Sequence, residues 1–295
     1  MFPPRLVLAA VDFSDASRVA LTCAARLARH TGAALHVLHA EDPLLAAAAR
    51  ASGVDLDHET RDELGRFMQS AAPAGDWAPM HHVVTGPAVD VIRDIAQREG
   101  ADVIVMGMRG MSGAERLMFG STTEGVLRTA DTSVLVVPGD WTPPRPDLGD
   151  LTGTGPIVAG VDLSTPALAA VGAACRLALL LQTSVEALHV VPPLAVPARW
   201  SVHADAAVQQ HVAAARADLT PALRDMCAEY PLRLLIKTGR IADQLAAAVT
   251  PSAGTHPMLV LGRRTHDERG GAPGSTAYRA LTLAAAPVLM YLPEY

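Results

Sequence analysis

Gly107, Gly110 and Gly120, followed directly by Ser121, Thr122 and Thr123, are the residues whose types and spacing suit one chemistry best. The pattern reads G-x2-G-x9-G-S. Glycine lets a backbone approach a ligand closely, and the first amides of a helix have no partner within it. The helix dipole adds positive charge at that end, so a Ser/Thr-led helix start after a glycine loop can hold phosphate. A G-x-G-x-x-G dinucleotide fingerprint is not matched, because Gly107, Gly110 and Gly113 stand three apart. A Walker A loop fails as well: the one lysine is Lys237, and Ile236 stands where that motif needs glycine.

Positioning such a cradle takes a strand before it and a helix after it, and the flanking residues predict both. Val103–Met106, stopped by Gly107, is an apolar, β-branched run of the kind buried on both faces of a sheet. A helix is expected from Ser121 to the break at Thr129-Ala130-Asp131, then a strand over Ser133–Val137 stopped by Pro138. Upstream, Leu6–Val11 reads as a strand ending at Asp12, and Ser14 as the cap of a helix through Arg29 closed by Gly32. Ala34–His39 reads as a second strand, Asp55–Ala72 as a helix, His81–Val84 as a short strand and Pro87–Arg98 as a helix; Pro43–Gly53 is ambiguous. Strand and helix alternate, which implies a parallel sheet covered on both faces.

The pattern then restarts. Residues 139–155, rich in Pro, Gly and Asp, read as a linker. Beyond them Asp162 and Ser164 echo Asp12 and Ser14, and Ala187-Leu-His-Val190 repeats Ala34-Leu-His-Val37 letter for letter. Met258–Gly262 echoes Val103–Gly107, Gly274-Ser275-Thr276 echoes Gly120-Ser121-Thr122, and Val288-Leu289 closes the chain as Val134-Leu135 closes the first half. The offset drifts only from 150 to 155 residues, the mark of a tandem duplication. The expected division is a first domain over 1–140, a linker over 141–155 and a second domain over 156–295.

Length and composition agree with two globular domains: 295 residues, half of them hydrophobic. A net charge of −6 argues against nucleic acid as partner. No apolar run reaches membrane-span length, and the segment before Asp12 is too short for a signal peptide. Cys23, Cys175 and Cys227 are scattered, so buried free thiols in a reducing cytoplasm are expected.

The glycine spacing resembles the nucleotide-binding signature of the universal stress protein family, and the resemblance extends once over each half. It implies an α/β fold of two tandem, open, five-stranded parallel sheets ordered 3-2-1-4-5, helices on both faces, Rossmann-like and akin to the adenine nucleotide α-hydrolases. Ligands bind such sheets at the carboxyl ends of strands where the winding reverses, here between Asp12 and Gly107. By the same resemblance Asp12 and Val37 match the adenine contacts, Met106 and Gly107 the ribose contact, and Gly110, Gly120, Ser121, Thr122 and Thr123 the phosphate cradle. In the second half Asp162, Val190, Gly262, Gly274, Ser275 and Thr276 match. Thr265 replaces the second glycine and the loop is one residue shorter, so that site is altered rather than erased, with Arg263, Arg264 and Arg269 adding positive charge. The implied ligand is ATP, with Mg2+ carried through its phosphates, or AMP.

Two readings stay open at Asp12, a base contact or a helix-capping acid beside Ser14, and two at Arg109, a phosphate partner or a solvated side chain. Histidines are not expected to hold a metal: there is no HExxH, and His36 and His189 occupy matching letters. No Ser/His/Asp arrangement is apparent, and no catalytic residue is expected. A cytoplasmic regulator or sensor of the stress response is the leading function, with a slow ATP hydrolase or phosphotransferase, or a ligand-free interaction scaffold, as alternatives. The resemblance also implies that the two halves pair as a covalent pseudo-dimer through Ser133–Val137 and Val288–Leu292, a further homodimer being open.

Overall fold

In a computed structural model, residues 3–71, 79–108, 120–142, 155–193, 201–226, 230–252, 255–263 and 274–293 are described. The chain divides into two compact units, Met1–Leu151 and Thr152–Arg264 with Pro273–Pro293.

The first unit runs β1 (Leu6–Val11), α1 (Asp15–Thr31), β2 (Ala34–Glu41), α2 (Pro43–Ala51), α3 (Leu56–Ala71), β3 (Met80–Thr85), α4 (Ala88–Glu99), β4 (Val103–Gly107), α5 (Ser121–Thr129) and β5 (Ser133–Val137). Its five strands are parallel and ordered β3-β2-β1-β4-β5. The order is legible in the side chains. β4 is buried at every position, as a central parallel strand must be, and so is β5, whereas β3 at the sheet margin is half exposed. α1 lays Ala20, Leu21, Ala24, Leu27 and Ala28 on the sheet, small residues that let helix and strands approach closely. Ser14 caps it by accepting from the Ser17 amide, and Gly32 ends it at φ 69°, a left-handed turn that glycine enters without penalty. The ambiguous Pro43–Gly53 stretch is helical from Pro43, with Asp42 as its cap. Pro87 is the residue before α4 rather than its first.

The second unit repeats the plan: β6 (Ile157–Gly160), α6 (Thr165–Leu181), β7 (Val185–Val191), α7 (Ser201–Met226), β8 (Leu232–Thr238), α8 (Ile241–Ala248), β9 (Met258–Gly262), α9 (Ser275–Leu283) and β10 (Val288–Tyr291). Its strands are ordered β8-β7-β6-β9-β10, again all parallel. Each unit is therefore a 3-2-1-4-5 open sheet.

The strand register corrects one letter-based match. Val7 pairs with Leu35 and Ile157 pairs with Val185, an offset of 150 residues on both strands. His189 thus corresponds to His39 and not to His36. Both accordingly bond through Nδ1 to the carbonyl just before the strand-end aspartate, His39 to Val11 at 2.9 Å and His189 to Val161 at 2.8 Å. Cys23 is a buried free thiol as expected, but Cys175 on α6 is disulfide-bonded, a pairing that scattered sequence positions do not reveal. Among the described residues no helix is long and apolar enough to cross a membrane.

Candidate functional site

The winding of the first sheet reverses between β1 and β4. From β1 the chain moves outward to β2 and β3, then returns across α4 to β4 on the other side. At such a point the loops leaving neighbouring strand ends part and open a crevice. Ala9 pairs with Val105, so the end of β1 at Val11 lies level with Gly107 at the end of β4. Asp12 and Met108 are the first residues beyond those ends.

Asp12 Oδ1 accepts from the Ser14 amide at 3.2 Å and from Ser14 Oγ at 2.6 Å, while its own amide donates to Ser17 Oγ at 3.3 Å. These bonds brace Ser14, the cap of α1, and fix the Asp12 carboxyl group at the lip of the crevice. Between Asp12 and Ser14 the chain passes through Phe13 at φ 62°. That is a left-handed conformation which a bulky residue adopts only under constraint, and such outliers gather where a site must be held. The constraint is the ring's packing, 4.3 Å from the His39 centroid and 5.5 Å, edge to face, from Phe67.

On the other wall, α5 begins at Gly120. Its cap has φ −63° and ψ 141° and no side-chain acceptor, so the leading amides of the helix are not satisfied by a cap. Gly120 itself donates to Met108 O at 3.0 Å, and Met108 to Val137 O at 2.9 Å, which fastens the helix start to the ends of β4 and β5. Ser121 is exposed and Thr122 half-buried, both free to face a ligand. Thr123 is not: it is buried, and its Oγ1 donates to Gly107 O at 2.9 Å. It positions the helix against β4 and does not reach the cradle as a hydroxyl donor. Glu124, acidic and in the first turn, is neutralised by Arg128 at 2.7 Å.

Val37 does not come to this end of the sheet. It pairs with Ala9 in mid-strand and is fully buried, whereas Val11 pairs with His39, so Ala40 stands level with Asp12. Val190, matched to Val37 by letter alone, corresponds by register to Ala40 and does reach the level of Asp162, since Gly160 pairs with Leu188. Met106 is buried within β4, paired with Val136. Gly110 and Arg109, with Thr265, Arg264 and Arg269, lie outside the described residues.

The second unit builds the same frame with fewer ties. Asp162 accepts from the Ser164 amide at 2.9 Å and from Ser164 Oγ. Gly274 caps α9 at φ −57°, ψ 151°, without a side-chain acceptor, and Ser275 and Thr276 are exposed. A Cβ on Gly274 would meet nothing within 4 Å. Neither its backbone angles nor its neighbours require glycine. Gly262 differs: a Cβ there would strike the Pro166 carbonyl, so this glycine serves the close approach of α6 to β9. Ala277 stands where α5 has Thr123, so α9 lacks that hydroxyl tie. Arg263 is buried, its amide donating to Tyr291 O at 2.7 Å.

Away from both strand-end sites, His36, His82 and Glu99 come together near the amino end of β2. Spacing in the sequence gave no sign of this cluster. Burial holds the His82 imidazole below its ordinary value, and the neighbouring Arg98 guanidinium holds the Glu99 carboxyl below its own.

Comparison with known proteins agrees with this architecture. The sequence model of the universal stress protein family matches residues 4–138. Universal stress protein A homolog 2 of Coxiella burnetii is 32% identical over 136 residues, covering 92% of that protein and 45% of this chain. Universal stress protein YxiE of Bacillus subtilis is 28% identical over 144 residues, covering 97% of that protein and 44% of this chain. A universal stress protein structure from Archaeoglobus fulgidus covers 98% of both chains with a TM-score of 0.61 at 17% identity, a likeness of fold. Sequence and fold lead to one conclusion: the chain belongs to the universal stress protein family.

Proposed function

We propose that the first unit binds an adenine nucleotide at the crevice between β1 and β4, as a regulator that reports nucleotide level and not as a dedicated enzyme. The observation that carries the reading is the start of α5: a glycine cap in ordinary extended geometry, without a side-chain acceptor, following β4 at the reversal point of the sheet. Phosphates would lie on the leading amides and on Ser121 and Thr122, where the helix dipole favours negative charge. The Asp12 carboxylate and the backbone of Ala40 stand at the depth for the base, a carboxylate accepting from an exocyclic amino group. ATP is the proposed ligand, Mg2+ arriving with its phosphates, and AMP is the simpler alternative. Amides and hydroxyls bind charge without moving a proton, which favours a sensing role over hydrolysis.

The second unit binds more weakly in this reading. Thr265 replaces Gly110 in the sequence, and Ala277 removes the tie that Thr123 gives the first unit. Calorimetry of the full chain with ATP and with AMP tests both statements. Asp12→Ala should weaken the tighter site, with Asp162→Ala affecting only the weaker one. Weakening by Asp162→Ala alone, with thermal stability of both variants matched, would reverse the ranking.

A further inference from the structure

We propose that His36, His82 and Glu99 form a binding site for a divalent transition ion of the Zn2+ class, remote from the nucleotide crevice. His36 lies near the amino end of β2, paired with Leu8 of β1, and Asp12 follows Leu8 by four residues. At a rise of about 3.3 Å per strand residue, the two sites stand roughly 13 Å apart along the sheet. His82 enters from β3, where it pairs with Leu38 and so projects to the same face as His36. Glu99 is the last residue of α4, which packs on β2. Three separate elements thus deliver three donors to one point.

The geometry is close to that of a coordinated ion. His82 Nε2 lies 3.1 Å from His36 Nδ1, and His36 Nδ1 lies 3.9 Å from Glu99 Oε2. All three donor atoms fall within 4.8 Å of one another. Ligands at about 2.0–2.1 Å from a tetrahedral ion stand roughly 3.3 Å apart, so the imidazoles need to open by a few tenths of an ångström and the carboxylate to close by about half of one toward His36 and by roughly 1 Å or more toward His82. Glu99 sits at a helix terminus, where such a shift is easily made. Its other oxygen, Oε1, accepts from Arg98 Nε at 3.0 Å, an outer contact that aims Oε2 at the histidines. His36 is 7% exposed, so one ligand is fixed by packing while the other two are half-buried and open to an entering ion.

The donor set selects the metal. Two imidazole nitrogens and one carboxylate suit Zn2+ and its neighbours, whereas Mg2+ prefers oxygen donors alone. Mg2+ brought by a nucleotide would therefore not compete here. Three protein ligands leave a fourth position for water. A bound ion would tie β2, β3 and α4 of the first unit together.

The test uses the full chain stripped with chelator and titrated with Zn2+ alone, without nucleotide. One ion should bind per chain with micromolar or tighter affinity and raise the melting temperature. His82→Ala and Glu99→Gln should each weaken binding by at least tenfold, in the range seen when a ligand or its outer partner is lost. His81→Ala, one residue away on the exposed face of β3, should change nothing. Glu99→Gln lies at the end of α4 and keeps the decision open if His82→Ala does not fold. Co2+ should give the intense visible absorption of four-coordinate geometry. Absence of Zn2+ uptake, uptake unchanged in Glu99→Gln, or a six-coordinate Co2+ spectrum would overturn the proposal, and none of these results bears on nucleotide binding.

Discussion

Replacing Gly120 with aspartate separates the site from the fold, because the two respond in opposite directions. The backbone at Gly120, φ −63° and ψ 141°, is close to that of Ser14, the side-chain cap of α1 at φ −71° and ψ 160°. An aspartate at this position is thus conformationally free to cap α5 and should leave stability unchanged or raise it by about a few tenths of a kcal/mol. The same carboxylate occupies the place proposed for phosphate. One added negative charge about 4 Å from a phosphate oxygen costs about 4 kcal/mol at an effective dielectric constant near 20, roughly a thousandfold in affinity. Gly120→Asn supplies a cap without the charge, so the difference between the two variants isolates electrostatics from bulk. Thermal melts of the nucleotide-free chains and calorimetry with ATP read both quantities. A Gly120→Asp chain that is no less stable and still binds ATP with native affinity at the first site would refute the placement of phosphate on α5.

Thr123→Val removes the hydroxyl bond to Gly107 O at constant shape; it should cost about 1 kcal/mol in urea denaturation and weaken nucleotide binding only through a looser α5. Gly262→Ala places a Cβ against the Pro166 backbone, which cannot swing aside, and should destabilise the second unit by about 1–3 kcal/mol in the same assay. Burial pushes the Cys23 thiol up to about 12, so in the native chain it should resist thiol-specific alkylation at pH 8. Because the folded value is the higher one, the folded chain holds this proton longer, and stability should fall as pH rises from about 9 toward 12. Cys23→Ala should flatten that fall.

The parts of the fold that were plain in the sequence are those whose burial is total. β4 and β5, apolar at every position and bounded by Gly107 and Pro138, end within a residue of where the run of hydrophobics ends. α1 is equally plain because Ser14 and Gly32 are capping residues by chemistry and act as such. Registers are another matter. The letters Ala-Leu-His-Val recur 153 residues apart, yet the ladders set the offset at 150, since apolar letters in buried strands are interchangeable and hydrogen bonding decides which residues face. That three-residue slip moved Val37 into the sheet interior and hid Ala40. Thr123 was misplaced for a related reason: a hydroxyl one turn into a helix can bond inward, and only the position of Gly107 O shows that it does. The His36–His82–Glu99 cluster was invisible because its members meet through β2–β3 register and the length of α4, neither of which leaves a spacing signature.

The most direct measurement of the central claim is mass spectrometry of what the purified full chain releases on denaturation, quantified per chain and repeated after incubation with ATP or AMP and desalting. An adenine nucleotide at close to one per chain is expected from the first unit, and it should be lost in Gly120→Asp. No adenine nucleotide released from the native chain, before or after incubation, would contradict the claim.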